Sequence, residues 1–122
     1  MADIQIKRGN HYPNLHFYPV WPSTVPDPMP DWSSATAQII IRLPGSGSPV
    51  LVLTCTSFTP PPARDEEGEA TYVWPPTTPS QTETPTAGIY DCELEVTLAT
   101  GKRVTFPNGG YNSIEFVEKL ST

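Results

Sequence analysis

Basic residues are scarce in this sequence. Its 122 residues include 7 lysines and arginines against 13 aspartates and glutamates, which gives a formal net charge of −6. Adjacent basic residues occur only as the isolated pairs Lys7-Arg8 and Lys102-Arg103. Because binding to a phosphate backbone requires a basic face, we expect no nucleic acid among the partners of this protein.

Long hydrophobic runs are also missing. No apolar stretch approaches the roughly 20 residues that a membrane-spanning helix needs. Residues 1–7 lack the basic segment, the apolar segment and the cleavage site of a secretory leader. We therefore expect a soluble protein that is made in a reducing cytoplasm and has no membrane partner.

Cysteine is limited to Cys55 and Cys92. Both residues fall on the apolar face of a candidate strand, where we expect two buried thiols that pack like small hydrophobic side chains. A cross-strand disulfide is the alternative. Neither cysteine has the spacing of a metal site, so we expect no metal and no cofactor.

Proline, in contrast, is abundant, with 16 residues in the chain. Residues 21–31 contain four prolines, and residues 75–86 contain four more. Because proline lacks an amide donor and has a fixed φ, neither segment can lie inside a sheet. We predict two long loops with extended, polyproline-like backbone.

Most of the remaining chain alternates between apolar and polar residues. A period of two residues is typical of half-buried strands, and no segment has the period of a helix. The predicted strands are 3–7, 15–20, 37–43, 50–57, 70–74, 90–98, 103–106 and 113–118. Turn signals between them favour an all-β sandwich of seven or eight strands in a single domain, residues 1–122.

The clearest alternation lies in residues 90–98. Residues 99–102 then turn the chain, with Gly101 free to adopt a positive φ, and residues 103–106 return as the partner strand. Residues 37–43 and 50–57 form a second predicted hairpin. The predicted core consists of Ala37, Ile39, Ile41, Leu51, Leu53, Tyr90, Leu94, Val96 and Leu98.

Three segments resemble parts of a known family. Residues 6–10 resemble an opening strand followed by an Arg-Gly-Asp-like turn, and residues 32–42 resemble the entry into a third strand. Residues 86–97, with Gly101 and Val104, look like the pattern Pro-Ala-Gly-x-Tyr-x-x-Asp-Leu-x-Val-Thr…Gly…Val. Together they are similar to the immunoglobulin-like N-terminal domain of phage baseplate upper proteins.

This resemblance implies an immunoglobulin-like antiparallel β-sandwich and a structural role without catalysis. The protein would belong to a virion, form homo-oligomers and bridge other virion structural proteins at the tail, the baseplate or the head surface. The two proline-rich loops are longer than those of the family pattern, and Asn10 stands where the family usually has aspartate.

Few residues could carry chemistry. We expect His11 and His16 to be surface residues near a turn, with metal ligation or acid–base work as the alternative. We expect residues 65–69 to form a solvated acidic turn, since they lack the alternating spacing of a calcium loop. With no recognisable nucleophilic arrangement, we predict no catalysis.

Acidic residues also occupy the outward face of the strand 90–98, at Asp91, Glu93 and Glu95. Such a stripe usually pairs with cations on the neighbouring strand, and Lys102 and Arg103 are the candidates. The alternative is a docking face for a basic partner.

Tryptophans flank the two proline-rich loops, and tryptophan is a frequent anchor of interfaces. We expect one of the three to lie in the core and the others to be partly exposed. An alternative function is a carbohydrate- or receptor-binding sandwich, in which Trp21 and Trp74 stack on sugar. The predicted partner-binding residues are Trp21, Pro22, Pro26, Pro28, Trp32, Trp74 and Pro75.

Overall fold

The protein is an all-β sandwich of two sheets. A computed structural model describes residues 4–75, 85–106 and 113–118, and these ranges contain nine strands and no helix. Consequently, the described part of the chain has no helix that could span a membrane. The strands are β1 (Ile4–Lys7), β2 (Leu15–Phe17), β3 (Thr36–Arg42), β4 (Pro49–Thr54), β5 (Ser57–Thr59), β6 (Glu69–Tyr72), β7 (Gly88–Thr97), β8 (Arg103–Phe106) and β9 (Ser113–Val117).

The larger sheet is arranged around β7. Its order is β1-β9-β7-β3-β4, and β8 also pairs with β7. One edge of β7 pairs with β3, while the other edge pairs with β9 near its start and with β8 near its end. Asp91 thus lies opposite Arg42 on one side and Ser113 on the other. The strand β1 runs parallel to β9, and the other pairs in this sheet are antiparallel.

The smaller sheet has the order β2-β6-β5, and the chain enters β5 directly from the larger sheet. The prediction of one strand over residues 50–57 is therefore wrong. The amide of Cys55 still donates to Ala37 O of the larger sheet, whereas the amide of Thr56 donates to Thr71 O of the smaller sheet. The change of partner between adjacent residues ends β4 at Thr54 and starts β5 at Ser57.

The predicted strand over residues 15–20 is also shorter in the structure. It ends at Phe17, and Val20 makes only an isolated bridge to Glu67. Pro19 explains the interruption, because proline has no amide hydrogen to donate to a neighbouring strand. The strand β8 and the hairpins β3–β4 and β7–β8 agree with the prediction, and β9 ends at Val117, one residue before its predicted end.

The core lies between the two sheets and contains most of the predicted residues. Seven of the nine predicted core side chains are buried, whereas Leu51 and Leu98 are half-buried at its rim. The smaller sheet contributes buried side chains that the prediction did not include, among them Leu15, Phe17 and Tyr72.

Tyr90 fixes the start of β7. Its ring is buried and packs edge-on against Phe116, with the ring centroids 5.6 Å apart. Its hydroxyl donates to the backbone oxygen of Thr86, four residues upstream, at 2.8 Å. The side chain therefore joins the core to the segment that leads into β7.

The turn between β7 and β8 closes as the sequence predicts. Gly101 has a φ of 90°, a value that favours glycine, and its amide donates to Leu98 O at 2.8 Å. The amide of Leu98 donates in return to Lys102 O at 2.8 Å.

Neither Cys55 nor Cys92 forms a disulfide bond, so the alternative of a cross-strand disulfide is excluded in this structure. Cys92 is buried, and Cys55 is half-buried just after β4. Loss of solvent around Cys55 raises the pKa of its thiol to about 11.

Replacing Leu94 by alanine should destabilise the fold strongly. Leu94 is fully buried in β7, so Leu94→Ala should lower the free energy of unfolding by about 2–5 kcal/mol. The half-buried Leu98 is the matched control, and Leu98→Ala should lower the free energy of unfolding by less than Leu94→Ala does. Urea denaturation followed by circular dichroism measures both values, and equal losses would contradict the assigned positions of these side chains.

Because its pKa is raised, the Cys55 thiol should react slowly with alkylating reagents in the folded protein. The thiolate is the reactive form, and at pH 8 the Cys55 thiol is almost entirely protonated. Alkylation by iodoacetamide should therefore be slow in the folded protein, rise as the pH approaches about 11 and become fast in urea. Mass spectrometry of peptides that contain Cys55 measures the rate. Fast modification at pH 8 without denaturant would contradict the burial of this thiol.

Candidate binding surface around residues 21–32

Residues 21–32, here called the proline loop, connect the smaller sheet to the larger one. The segment lies between β2 and β3 and contains no strand. Pro22, Pro26 and Pro28 are exposed on it, whereas Pro30 is half-buried. The loop thus presents several rigid, apolar rings to solvent.

Arg64 holds this loop against the rest of the domain. Its Nη1 donates to the backbone oxygens of Pro22, at 3.2 Å, and Val25, at 2.9 Å. Its Nη2 donates to the backbone oxygen of Asp27. One planar guanidinium therefore binds three carbonyls of a segment whose prolines cannot form a regular ladder.

Asp65 adds two further bonds between the same segments. Its backbone amide donates to Trp21 O at 3.0 Å, and its carboxylate accepts the amide of Ser23 at 2.9 Å. The bond from Ser23 lowers the pKa of the Asp65 carboxyl. The start of the proline loop is therefore tied to residues 64 and 65 through both backbone and side chains.

Two tryptophans fix the loop from the side of the core. Trp21 and Trp32 are both half-buried, and their rings meet edge-on with centroids 6.3 Å apart. Trp32 also contacts the rings of Phe58 and Phe106, at 6.3 and 6.0 Å. The indole nitrogen of Trp21 donates to Asp27 O at 3.4 Å. Part of each indole ring therefore packs against other residues of the domain and is not exposed to solvent.

The other predicted partner-binding residues lie elsewhere. Trp74 is only 3% exposed, its Nε1 donates to Pro13 O at 2.8 Å, and its ring packs edge-on against Tyr72. Trp74 is thus the core tryptophan, and its burial leaves no ring surface for stacking on sugar. Pro75 is half-buried. Residues 76–84 of the second predicted loop, and the predicted turn at residues 108–110, lie outside the described residues.

A groove separates the proline loop from the β7–β8 turn. Its volume is about 420 Å³. The side chains that line it are Trp21, Asp27, Pro28, Pro30, Asp31, Leu98, Ala99, Thr100, Lys102, Arg103 and Val104. Carboxylates come from the loop and cations come from the hairpin, so the groove brings together residues that are far apart in sequence.

The acidic stripe on β7 forms ion pairs within the domain. Glu95 lies 3.9 Å from Arg103 on β8, as predicted, and Glu93 lies 3.0 Å from Arg42 on β3. No local pattern identifies Arg42 as a partner of this stripe, because the pairing of β3 with β7 joins segments that are distant in sequence. Two of the three carboxylates of the stripe are therefore already partnered.

The remaining candidates for chemistry are dispersed. His16 Nδ1 lies 3.2 Å from Thr71 Oγ1 and 3.5 Å from a carboxylate oxygen of Glu69. The acidic side chains of residues 65–67 and 69 are exposed. Within the described ranges, no three His, Cys, Asp or Glu side chains are placed to hold a metal ion. The expectation that the protein lacks catalysis stays a prediction.

Comparisons with known proteins give no relative for this chain: no family model matches, and neither a curated protein nor a solved structure gives a significant match.

Arg64 should determine the order of the proline loop. Arg64→Ala removes three hydrogen bonds to loop carbonyls, so we expect faster amide exchange at Ser23 and Val25 and a loss of about 1 kcal/mol of stability. The matched control is Arg42→Ala, which removes a guanidinium that pairs with Glu93 on the larger sheet and does not line the groove beside the loop. Hydrogen-exchange NMR and urea denaturation measure the two effects. Unchanged exchange in Arg64→Ala would show that the guanidinium does not order the loop.

Proposed function

We propose that this protein is a non-enzymatic, immunoglobulin-like structural module of a phage particle. In this proposal it docks onto neighbouring virion proteins, and onto copies of itself, through the exposed prolines of the proline loop. The observation that carries the docking proposal is the fixation of the loop by Arg64, which leaves Pro22, Pro26 and Pro28 facing solvent.

The strand order supports the immunoglobulin-like part of the proposal. Immunoglobulin sandwiches place their last, sixth and third strands side by side and put the second strand in the opposing sheet. Here β9, β7 and β3 are neighbours, β4 extends their sheet, and β2, β6 and β5 form the other sheet. The additional strand β8 pairs with the same edge of β7 as β9 does.

Tyr90 is a second support. Immunoglobulin-like domains contain a tyrosine near the start of the sixth strand, two residues before a cysteine, whose hydroxyl bonds to backbone a few residues upstream. Tyr90 lies two residues before Cys92 and donates to Thr86 O. This domain differs from antibody domains in that Cys92 forms no disulfide bond and β3 contains no tryptophan.

Docking through the proline loop has a physical advantage. A segment that is already ordered loses little conformational entropy when it binds, and each proline reduces that loss further. The contacts of Arg64, Trp21 and Trp32 hold the loop in one arrangement before any partner arrives. The assignment to a virion rests on the sequence resemblance described above.

The test is incorporation of the protein into particles. Pro22→Glu combined with Pro26→Glu places two charges on the exposed side of the loop and leaves the carbonyls bound by Arg64 in place. We expect a nearly unchanged melting temperature and a loss of at least about tenfold in incorporation, because an apolar contact then has to bury charge. Mass spectrometry of particles purified from the lysed host measures the copy number.

Val52→Glu is the matched control, since it places a charge on an exposed apolar residue of β4, away from the loop. This variant should be incorporated at the normal level. Absence of the wild-type protein from purified particles would overturn the virion assignment. Normal incorporation of the double variant would overturn the docking surface.

A further inference from the structure

The groove beside Trp21 has the position of a ligand site. It lies between the loop that joins β2 to β3 and the turn that joins β7 to β8. In antibody variable domains, the loops in these two positions carry antigen-binding residues at one end of the sandwich. The volume of about 420 Å³ lies at the lower end of the range for small-molecule sites, about 300–1,000 Å³.

The lining of the groove combines an apolar wall with polar groups at its sides. Trp21, Pro28, Pro30, Leu98 and Val104 supply the apolar surface. Such a surface suits a ligand that has a flat apolar face, and an aromatic ring is the best platform for it.

The charges along the groove are balanced. Asp27 and Asp31 come from the proline loop, and Lys102 and Arg103 come from the hairpin. The lining has two carboxylates and two cations, and Arg103 also pairs with Glu95 outside the lining, so the groove has no excess of positive charge that would select an anion. These side chains do provide strong acceptors on one side and strong donors on the other, which suits a neutral ligand that is rich in hydroxyl groups.

Asp31 is held in place as an acceptor. One of its carboxylate oxygens accepts the amide of Ser33 at 3.0 Å and the hydroxyl of Ser33 at 2.7 Å. These bonds lower the pKa of the Asp31 carboxyl, so the group is ionised at neutral pH. They also restrict its rotation, which reduces the entropy lost when the other oxygen binds a ligand.

We propose that this groove binds a neutral saccharide of one or two pyranose units. The apolar C–H face of the sugar lies against Trp21 and the prolines, and its hydroxyl groups bond to Asp31 and Lys102. Of the two tryptophans predicted to stack on sugar, Trp21 lines the groove and Trp74 is buried in the core. The site does not depend on the virion assignment, because it requires no partner protein.

The experiment is an NMR titration of the full-length, ¹⁵N-labelled chain. The probes are the methyl glycosides of glucose, galactose, mannose and N-acetylglucosamine, and the matching disaccharides, each up to about 50 mM because single sugar units bind weakly. We expect at least one probe to shift the indole N–H signal of Trp21 saturably and to leave that of the buried Trp74 unchanged.

Three variants make the result specific. Trp21→Ala should weaken binding at least about tenfold through loss of the stacking platform. Because Trp21 also packs on Trp32, Lys102→Ala provides a second test at an exposed position, and it should weaken binding without changing the melting temperature. Tyr12→Ala is the matched control, since it removes a 74% exposed aromatic side chain outside the groove.

Several results would overturn the proposal. One is the absence of saturable shifts with every saccharide. Another is binding to Trp21→Ala and Lys102→Ala that is as strong as binding to the wild-type protein. A proline-rich peptide that shifts the Trp21 signal where no saccharide does would assign the groove to a protein partner instead. None of these results depends on particles, so they are distinct from failure of the incorporation test.

Discussion

The structure depends on the pairing of β7 along both of its edges. This strand of ten residues binds β3 on one side and both β8 and β9 on the other, so it organises the larger sheet. Its inward side chains, such as Leu94 and Val96, are fully buried in the core, and Tyr90 attaches its start to the preceding segment. The end of β7 also fixes the hairpin that forms one wall of the groove.

The other wall depends on the segment around Arg64. The chain after β5 passes closely against itself at Gly68, where a Cβ atom would collide with the backbone of Thr59 and Pro61. The amide of Gly68 donates to Pro19 O at 2.9 Å, which joins this segment to the residues just before the proline loop. Arg64 therefore lies where its guanidinium can bind three loop carbonyls. A loop without regular structure thereby acquires a defined conformation.

Most of the sandwich could be predicted from local patterns. Alternation identifies which side of a strand is buried. It was sufficient to predict the strands β3 and β7 and seven buried side chains of the core. Alternation does not reveal which sheet a strand joins, so the change of sheet after Thr54 could not be foreseen. The turn at Gly101 was predictable because its conformation is decided by a few adjacent residues.

Less of the binding surface could be predicted from the sequence. Tryptophan and proline drew attention to residues 21–32, yet composition alone did not distinguish the buried Trp74 from the half-buried Trp21. The bonds of Arg64 to the loop join residues that are about 40 positions apart, and no local pattern signals them. The groove exists only because the fold brings the hairpin next to the loop.

The central claim is that the proline loop is ordered before it meets any partner. Backbone ¹⁵N relaxation of the free protein tests it directly at the non-proline residues of the loop, such as Ser23, Val25 and Asp27. The expected order parameters are about 0.85, close to those of β7, because hydrogen bonds and aromatic packing hold the loop. Values below about 0.6 across the loop would show a flexible segment and contradict the account.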